Sequence, residues 1–213
     1  MKIILSVVAS LLLAPAVALC SPILSATATQ TGGTLIDFEG QTDGANADNL
    51  YVGLGVTFSA TVGNTRIWDP LLGGNQVASS GTGVLGPTGP NTDPISIHFN
   101  SGQSFVEFFF ADPNVFGGTS YTLTAFDGSN NVLESLLIPS SSLPGNFYTG
   151  FARTSADILR VAIDPSNGGE NFSVDDLRFG NTAAVPEPAT LTLVGLGWGV
   201  LAARRRMQGA RRR

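Results

Sequence analysis

Cysteine is almost missing from this sequence. The 213-residue chain has one, Cys20, which excludes an internal disulfide and a thiolate metal site. Lysine is nearly absent too, with Lys2 the only one, and His98 is the single histidine. No histidine-rich metal motif can therefore be written, nor does a Gly-x-Ser-x-Gly elbow or a phosphate-binding glycine loop appear. Positive charge is scarce wherever a folded domain could lie. Residues 19–183 hold four arginines (Arg66, Arg153, Arg160, Arg178) against fifteen acids, a balance of −11. Nucleic acid, whose phosphates require cationic neutralisation, is excluded as a partner. Sustained helical periodicity is also lacking between the two ends of the chain.

The ends are different. Lys2 begins a minimal positive region, Ile3 to Leu13 is an apolar h-region broken only by Ser6 and Ser10, and Ala16-Val17-Ala18 is a small-x-small cleavage site. Residues 1–18 thus read as a signal peptide cut after Ala18, with a cut after Cys20 as the second choice. Lipidation of Cys20 stays open as an alternative, although Leu19 stands where that signal wants a small residue. The other terminus reads Val185-Pro186-Glu187-Pro188, then an uncharged apolar run from Ala189 to Ala203, then Arg204-Arg205-Arg206 and Arg211-Arg212-Arg213. Arginine is costly in hydrocarbon and favoured on the cytoplasmic side, so this order places the C-terminus in the cytoplasm and the upstream chain across the membrane. The span is 15 residues, short of the roughly 17–25 that a stable spanning helix needs. A transient signal tolerates that better than an ordinary C-terminal anchor, which is the competing reading.

Proline pair, apolar span and terminal arginines in this order resemble the PEP-CTERM sorting signal, also described as an ice-binding-protein C-terminal domain. The resemblance covers about the last 29 residues, with Val185, Pro186, Glu187 and Pro188 as the motif and Arg204, Arg205 and Arg206 as the membrane stop. It implies a Gram-negative host, signal peptidase and exosortase as export partners, and an inner-membrane intermediate. Release to the cell surface or an exopolysaccharide matrix would follow.

Between the signals, residues 19–33 are Ser/Ala/Thr/Gly-rich and read as a flexible leader, and residues 34–181 as the folded domain. Short β-type runs alternate there with Gly, Asn, Asp and Pro. Ile95, Ile97 and Phe99 oppose Ser96 and His98; Tyr121, Leu123 and Ala125 oppose Thr122 and Thr124; Leu159, Val161 and Ile163 oppose Ile158, Arg160 and Ala162. Asp127 to Asn131 has hairpin chemistry. About ten such strands predict an all-β, two-sheet sandwich of jelly-roll type. Leu71 to Pro94 breaks the rhythm with Gly and Pro, and reads either as a surface excursion with a short edge strand or as a binding loop.

The last run, Phe172 to Phe179, breaks parity. Phe172 and Val174 share a face, but Leu177 and Phe179 belong to the other, which predicts a β-bulge at Asp175-Asp176. Adjacent carboxylates in an apolar strand need compensation. The pair, taken with Phe38-Glu39-Gly40 in the first predicted strand, resembles jelly-roll domains of the carbohydrate-binding-module type. There a first-strand acid and a last-strand aspartate hold a structural calcium. The resemblance implies Glu39, Asp175 and Asp176 as calcium ligands, with Asp37 as a further candidate; solvated acids at a bulge are the alternative. The turns Asp127–Asn131 and Asp164–Asn171 are oxygen-rich as well, but turn chemistry explains them and neither has EF-hand spacing.

Trp68, the only tryptophan of residues 19–183, borders the long loop. It is either a sugar-stacking platform or a cap on the core, as are Tyr51, Phe116 and Tyr148 near their turns. With no catalytic motif, the sequence points to a non-enzymatic surface or matrix protein associated with exopolysaccharide and biofilm. A carbohydrate-binding module recognising that polysaccharide is the alternative, and a secreted glycan-active enzyme is third.

Overall fold

The computed structural model describes residues 20–72, 77–88, 93–112, 120–139, 146–165 and 172–181. The chain divides into two compact units, Met1–Asn181 and Thr182–Arg213, and every described residue belongs to the first. The signal peptide, the apolar span 189–203, Phe116 and most of the Asp164–Asn171 turn lie outside the described residues.

Twelve strands are described: β1 (Cys20–Ser25), β2 (Thr34–Ile36), β3 (Val56–Ala60), β4 (Thr65–Trp68), β5 (Val84–Pro87), β6 (Ile95–Gln103), β7 (Phe105–Ala111), β8 (Tyr121–Phe126), β9 (Val132–Ile138), β10 (Asn146–Arg153), β11 (Ile158–Pro165) and β12 (Ser173–Gly180). Short 3-10 turns cover Val52–Leu54 and Pro70–Leu72. All pairings are antiparallel. One sheet runs β1-β10-β7-β12-β5-β4, with β2 also on β12; the other runs β3-β6-β11-β8-β9. The fold is the expected two-sheet sandwich.

Most of the alternating faces pack as the pattern requires; the start of β11 does not, since Ile158 is buried and Leu159 only half-buried where the register against β6 shifts between Ile158 and Arg160. Ile95, Ile97, Phe99, Tyr121, Leu123, Ala125, Val161 and Ile163 are buried between the sheets, while Ser96, His98, Thr122 and Thr124 stay half-buried outside. Phe110 from one sheet meets Tyr121 from the other edge-to-face at 4.8 Å. Each such fully buried aromatic contributes about 1.5–3 kcal/mol.

The leader is where the structure departs from the sequence reading. Cys20–Ser25 is a strand, paired along its whole length with β10 from Cys20↔Arg153 to Ser25↔Tyr148. Pro22 can sit inside it because β1 is an edge strand, where a missing N–H breaks no ladder on the open side. The chain then crosses the outer face of its sheet. Thr29 donates to Glu107 Oε1 through its backbone N–H (2.9 Å) and hydroxyl (2.6 Å), and the Gln30 N–H donates to Oε2 (2.9 Å). This covering explains why β7 is buried on both faces and how Glu107 can be wholly buried as a carboxylate.

The second departure is β5. It lies inside the Gly/Pro-rich stretch, is buried throughout, and stands between β12 and β4 rather than at an edge. Its partner β12 serves two neighbours on one side: Val174 pairs with Leu85 of β5, whereas Leu177 to Phe179 pair with β2. The ladder to β7 shifts register between Asp175 and Arg178, the expected bulge, and Asp176 adopts φ 47° there. The bulge is the point at which β12 exchanges one neighbour for the other.

Candidate functional site

The gap between β5 and β2 is crossed by the segment leading into β5, and three carboxylates hold it. Asp175 Oδ2 accepts the backbone N–H groups of Ser79 (2.8 Å) and Ser80 (3.1 Å), and its Oδ1 accepts the Asp176 N–H (2.7 Å). Asp176 Oδ1 accepts the Ser80 hydroxyl (3.1 Å), and Oδ2 accepts the Tyr148 hydroxyl (2.9 Å). Tyr148 also bonds Ser79 Oγ at 2.7 Å. Glu39 Oε1 accepts the N–H groups of Thr82 (2.8 Å) and Gly83 (2.7 Å). Gly81 lies between the two grips with φ +49°, and a Cβ there would overlap the Glu39 carboxylate. Phe38, fully buried, takes φ 57° to aim Glu39 at the segment.

All three acids singled out from the sequence thus converge on residues 79–83. They do so as acceptors for amide and hydroxyl donors. Among the described residues no three His, Cys, Asp or Glu side chains are grouped to hold a metal. As arranged, the three carboxylates form a backbone clasp. Asp37 stands apart from the grips, its Oδ1 accepting the Glu39 N–H at 3.3 Å.

Burial dominates the electrostatics of the clasp. It pushes the Asp175 carboxyl up to about 6, against the lowering pull of its amide donors, and the Asp176 charge adds to the rise. Tyr51 is raised to about 12, first by burial and then by the charges of Asp37 and Glu39. Its ring packs edge-on against Phe38 and Phe58, so Tyr51 caps the core.

Trp68 adjoins the clasp. β4 pairs Trp68 with Val84 and Ile67 with Leu85, and the half-buried indole lies against Gly86, where a Cβ would stand 3.1 Å from Cδ1. Its Nε1 is buried without a partner among the described residues. Beside it is a small, partly open pocket of about 20 Å³, lined by Gln41, Asp43, Trp68, Asp69, Thr82 and Gly83 among others. That is room for about one water, far below the roughly 300–1,000 Å³ of a small-molecule site, so no sugar ring enters it. The clasped residues Thr82 and Gly83 form one wall, and Asp43 Oδ1 braces another by accepting the Asp69 N–H at 2.8 Å.

His98 bonds Ser59 Oγ through Nε2 at 2.9 Å, the distance of a nucleophile–base pair. The pair sits on the outer face of the second sheet, and the cross-strand neighbours of His98 are Arg160 and Thr57, neither of them an orienting carboxylate. Burial, then the Arg160 charge, lowers the imidazole pKa. Nothing in this arrangement builds a triad.

Residues 184–206 match the PEP-CTERM protein-sorting motif. The protein is therefore exported and surface-sorted. No curated protein matches the sequence. Among solved structures, the K2 cleaved adhesin domain of Lys-gingipain is similar at 14% identity and TM-score 0.49, over 68% of this chain and 98% of that one. The C-terminal family 22 carbohydrate binding module of Clostridium thermocellum Xyn10B is similar at 13% identity and TM-score 0.43, over 72% and 95%. TmCBM61, solved with beta-1,4-galactotriose, is similar at 14% identity and TM-score 0.40, over 63% and 97%. The architecture itself is read from the strand ladders above.

Proposed function

We propose that this protein is a non-enzymatic component of the bacterial surface or exopolysaccharide matrix, carried there by exosortase after signal peptidase and an inner-membrane intermediate. The observation that carries the reading is the sorting motif at 184–206 behind an acidic, nearly cation-free sandwich. An acidic surface keeps such a domain soluble among neutral glycans. The acids that stand out from the sequence support structure here, since they clasp backbone rather than face one another across a cleft as hydrolytic carboxylates do. Deleting exosortase in the native host tests the route. The protein should move from the surface or matrix fraction to the membrane fraction as a larger precursor, and an unchanged distribution would refute the assignment.

One feature favours a second, compatible reading, recognition of the matrix polysaccharide itself. Trp68 is half-buried beside a small polar depression, and the exposed part of an indole can stack on a sugar lying over the surface. Affinity electrophoresis through gels containing host exopolysaccharide should retard the wild-type protein and not Trp68→Ala. Equal mobility of the two would leave only a bulk matrix role.

A further inference from the structure

The two chain ends of the sandwich leave from one rim. Cys20 opens β1 opposite Arg153, whose N–H donates to the Ser104 carbonyl (2.7 Å). Gly180 ends β12 opposite Phe105, and Asn181 Oδ1 accepts the Ser104 N–H (2.9 Å). Both ends therefore flank the β6–β7 turn. β1 and β12 are three strand steps apart in the order β1-β10-β7-β12, about 14 Å at sheet spacing. The apolar run starting at Ala189 follows Asn181 by eight residues, a reach of at most about 29 Å. At the other end the signal peptide's apolar stretch stops at Leu13, seven residues before β1.

The same rim has the side chains of a lipid-facing surface. The 3-10 turn Val52–Leu54 precedes β3 at this end, with the Gly55 carbonyl accepting the Asn100 N–H. It leaves Val52 53% and Leu54 51% exposed. The β6–β7 turn is uncharged. The β10–β11 turn carries only Arg153 and Asp157, which bond each other at 2.6 and 2.9 Å. The β8–β9 turn adds Asp127, whose oxygens accept donors from Ser129 and Asn131 of its own turn. Of the −11 balance of the domain, these turns contribute one unpaired carboxylate, Asp127, with Asp157 neutralised by Arg153, so repulsion from an anionic membrane is small at this end.

We infer that this rim is the face the precursor turns toward the outer surface of the cytoplasmic membrane. The chain leaves the sandwich at this rim, eight residues before the apolar run, and Val52 and Leu54 enter the interface. The inference rests on the sorting reading above. It makes the precursor a domain standing on one defined end, with the β3–β4 turn and Asn146 pointing away from the lipid.

Full-length precursor accumulated in a host lacking exosortase provides the test. In a Cys20→Ser background, single cysteines are placed at the rim (Ser101→Cys, Ser155→Cys) and at the far end (Val62→Cys, Asn146→Cys). Each is labelled with a bulky polymer-maleimide in spheroplasts, after detergent, and in processed protein from an exosortase-positive host. Labelling at the two rim positions should be lost in spheroplasts, regained in detergent and present in the processed protein, with the far positions labelled throughout. Equal labelling at all four positions in membrane-bound precursor overturns the inference alone. Rim protection that persists in the processed protein also overturns it, by assigning the rim to a second copy. A precursor that is not membrane-bound overturns the sorting reading and this inference with it.

Discussion

Thr29 and Glu107, 78 residues apart, meet through a 2.6 Å hydrogen bond that fastens the N-terminal crossing onto the middle of β7. Glu107 is completely buried, and both its oxygens accept donors from Thr29 or Gln30. Glu107→Gln replaces one acceptor by an NH₂ facing a donor. It should cost about 1.5–3 kcal/mol, the worth of a charge-assisted hydrogen bond, read as a fall in the urea midpoint. A midpoint equal to wild type would mean the crossing contributes no stability.

Gly81→Ala should destabilise by at least about 1–2 kcal/mol, the cost of a side chain in the left-handed region, because its Cβ also meets the Glu39 carboxylate. Thermal unfolding reads the loss, and limited proteolysis should show earlier cutting near residues 77–83. Unchanged melting and cutting would show that Glu39 does not hold the segment.

The clasp also sets a pH dependence. A carboxyl at about 6 in the folded state against its usual 3.8 binds its proton more tightly when folded, so Asp175 favours folding as pH falls. Its contribution should grow from pH 7.5 through 6 and level off near 4, a span of order 3 kcal/mol. Asp175→Asn should flatten that part of the profile. Identical slopes for wild type and variant between pH 7.5 and 5 would contradict the assignment.

Calcium distinguishes an amide clasp from a metal tie. With Asp175, Asp176 and Glu39 Oε1 already holding N–H and O–H donors, a clasp that needs no ion predicts a melting temperature indifferent to calcium from micromolar to millimolar. A rise of several degrees, reversed by chelator and abolished in Asp175→Asn/Asp176→Asn, would show that the carboxylates turn onto an ion.

Side-chain alternation made much of the sandwich legible. Ile95-Ile97-Phe99 and Tyr121-Leu123-Ala125 declare a buried face, and the parity break at Asp175-Asp176 declares the bulge. β1 carries little such signal: apart from Ile23, its described side chains are at least partly exposed, and its place is set by backbone pairing to β10. β5 was hidden by Gly86 and Pro87, residues that argue against a strand locally but fit under Trp68 and beside Thr65. The acids at 39, 175 and 176 could be picked out, but not their partners. Those are backbone amides of residues 79–83, and an amide has no sequence signature.

Intact-mass measurement of the protein recovered from its native host tests the account most directly. The mature species should lack residues 1–18 and everything beyond the Pro186-Glu187-Pro188 region, which leaves β1 and β12 complete. Recovery of a membrane-bound protein still ending at Arg213 would contradict it.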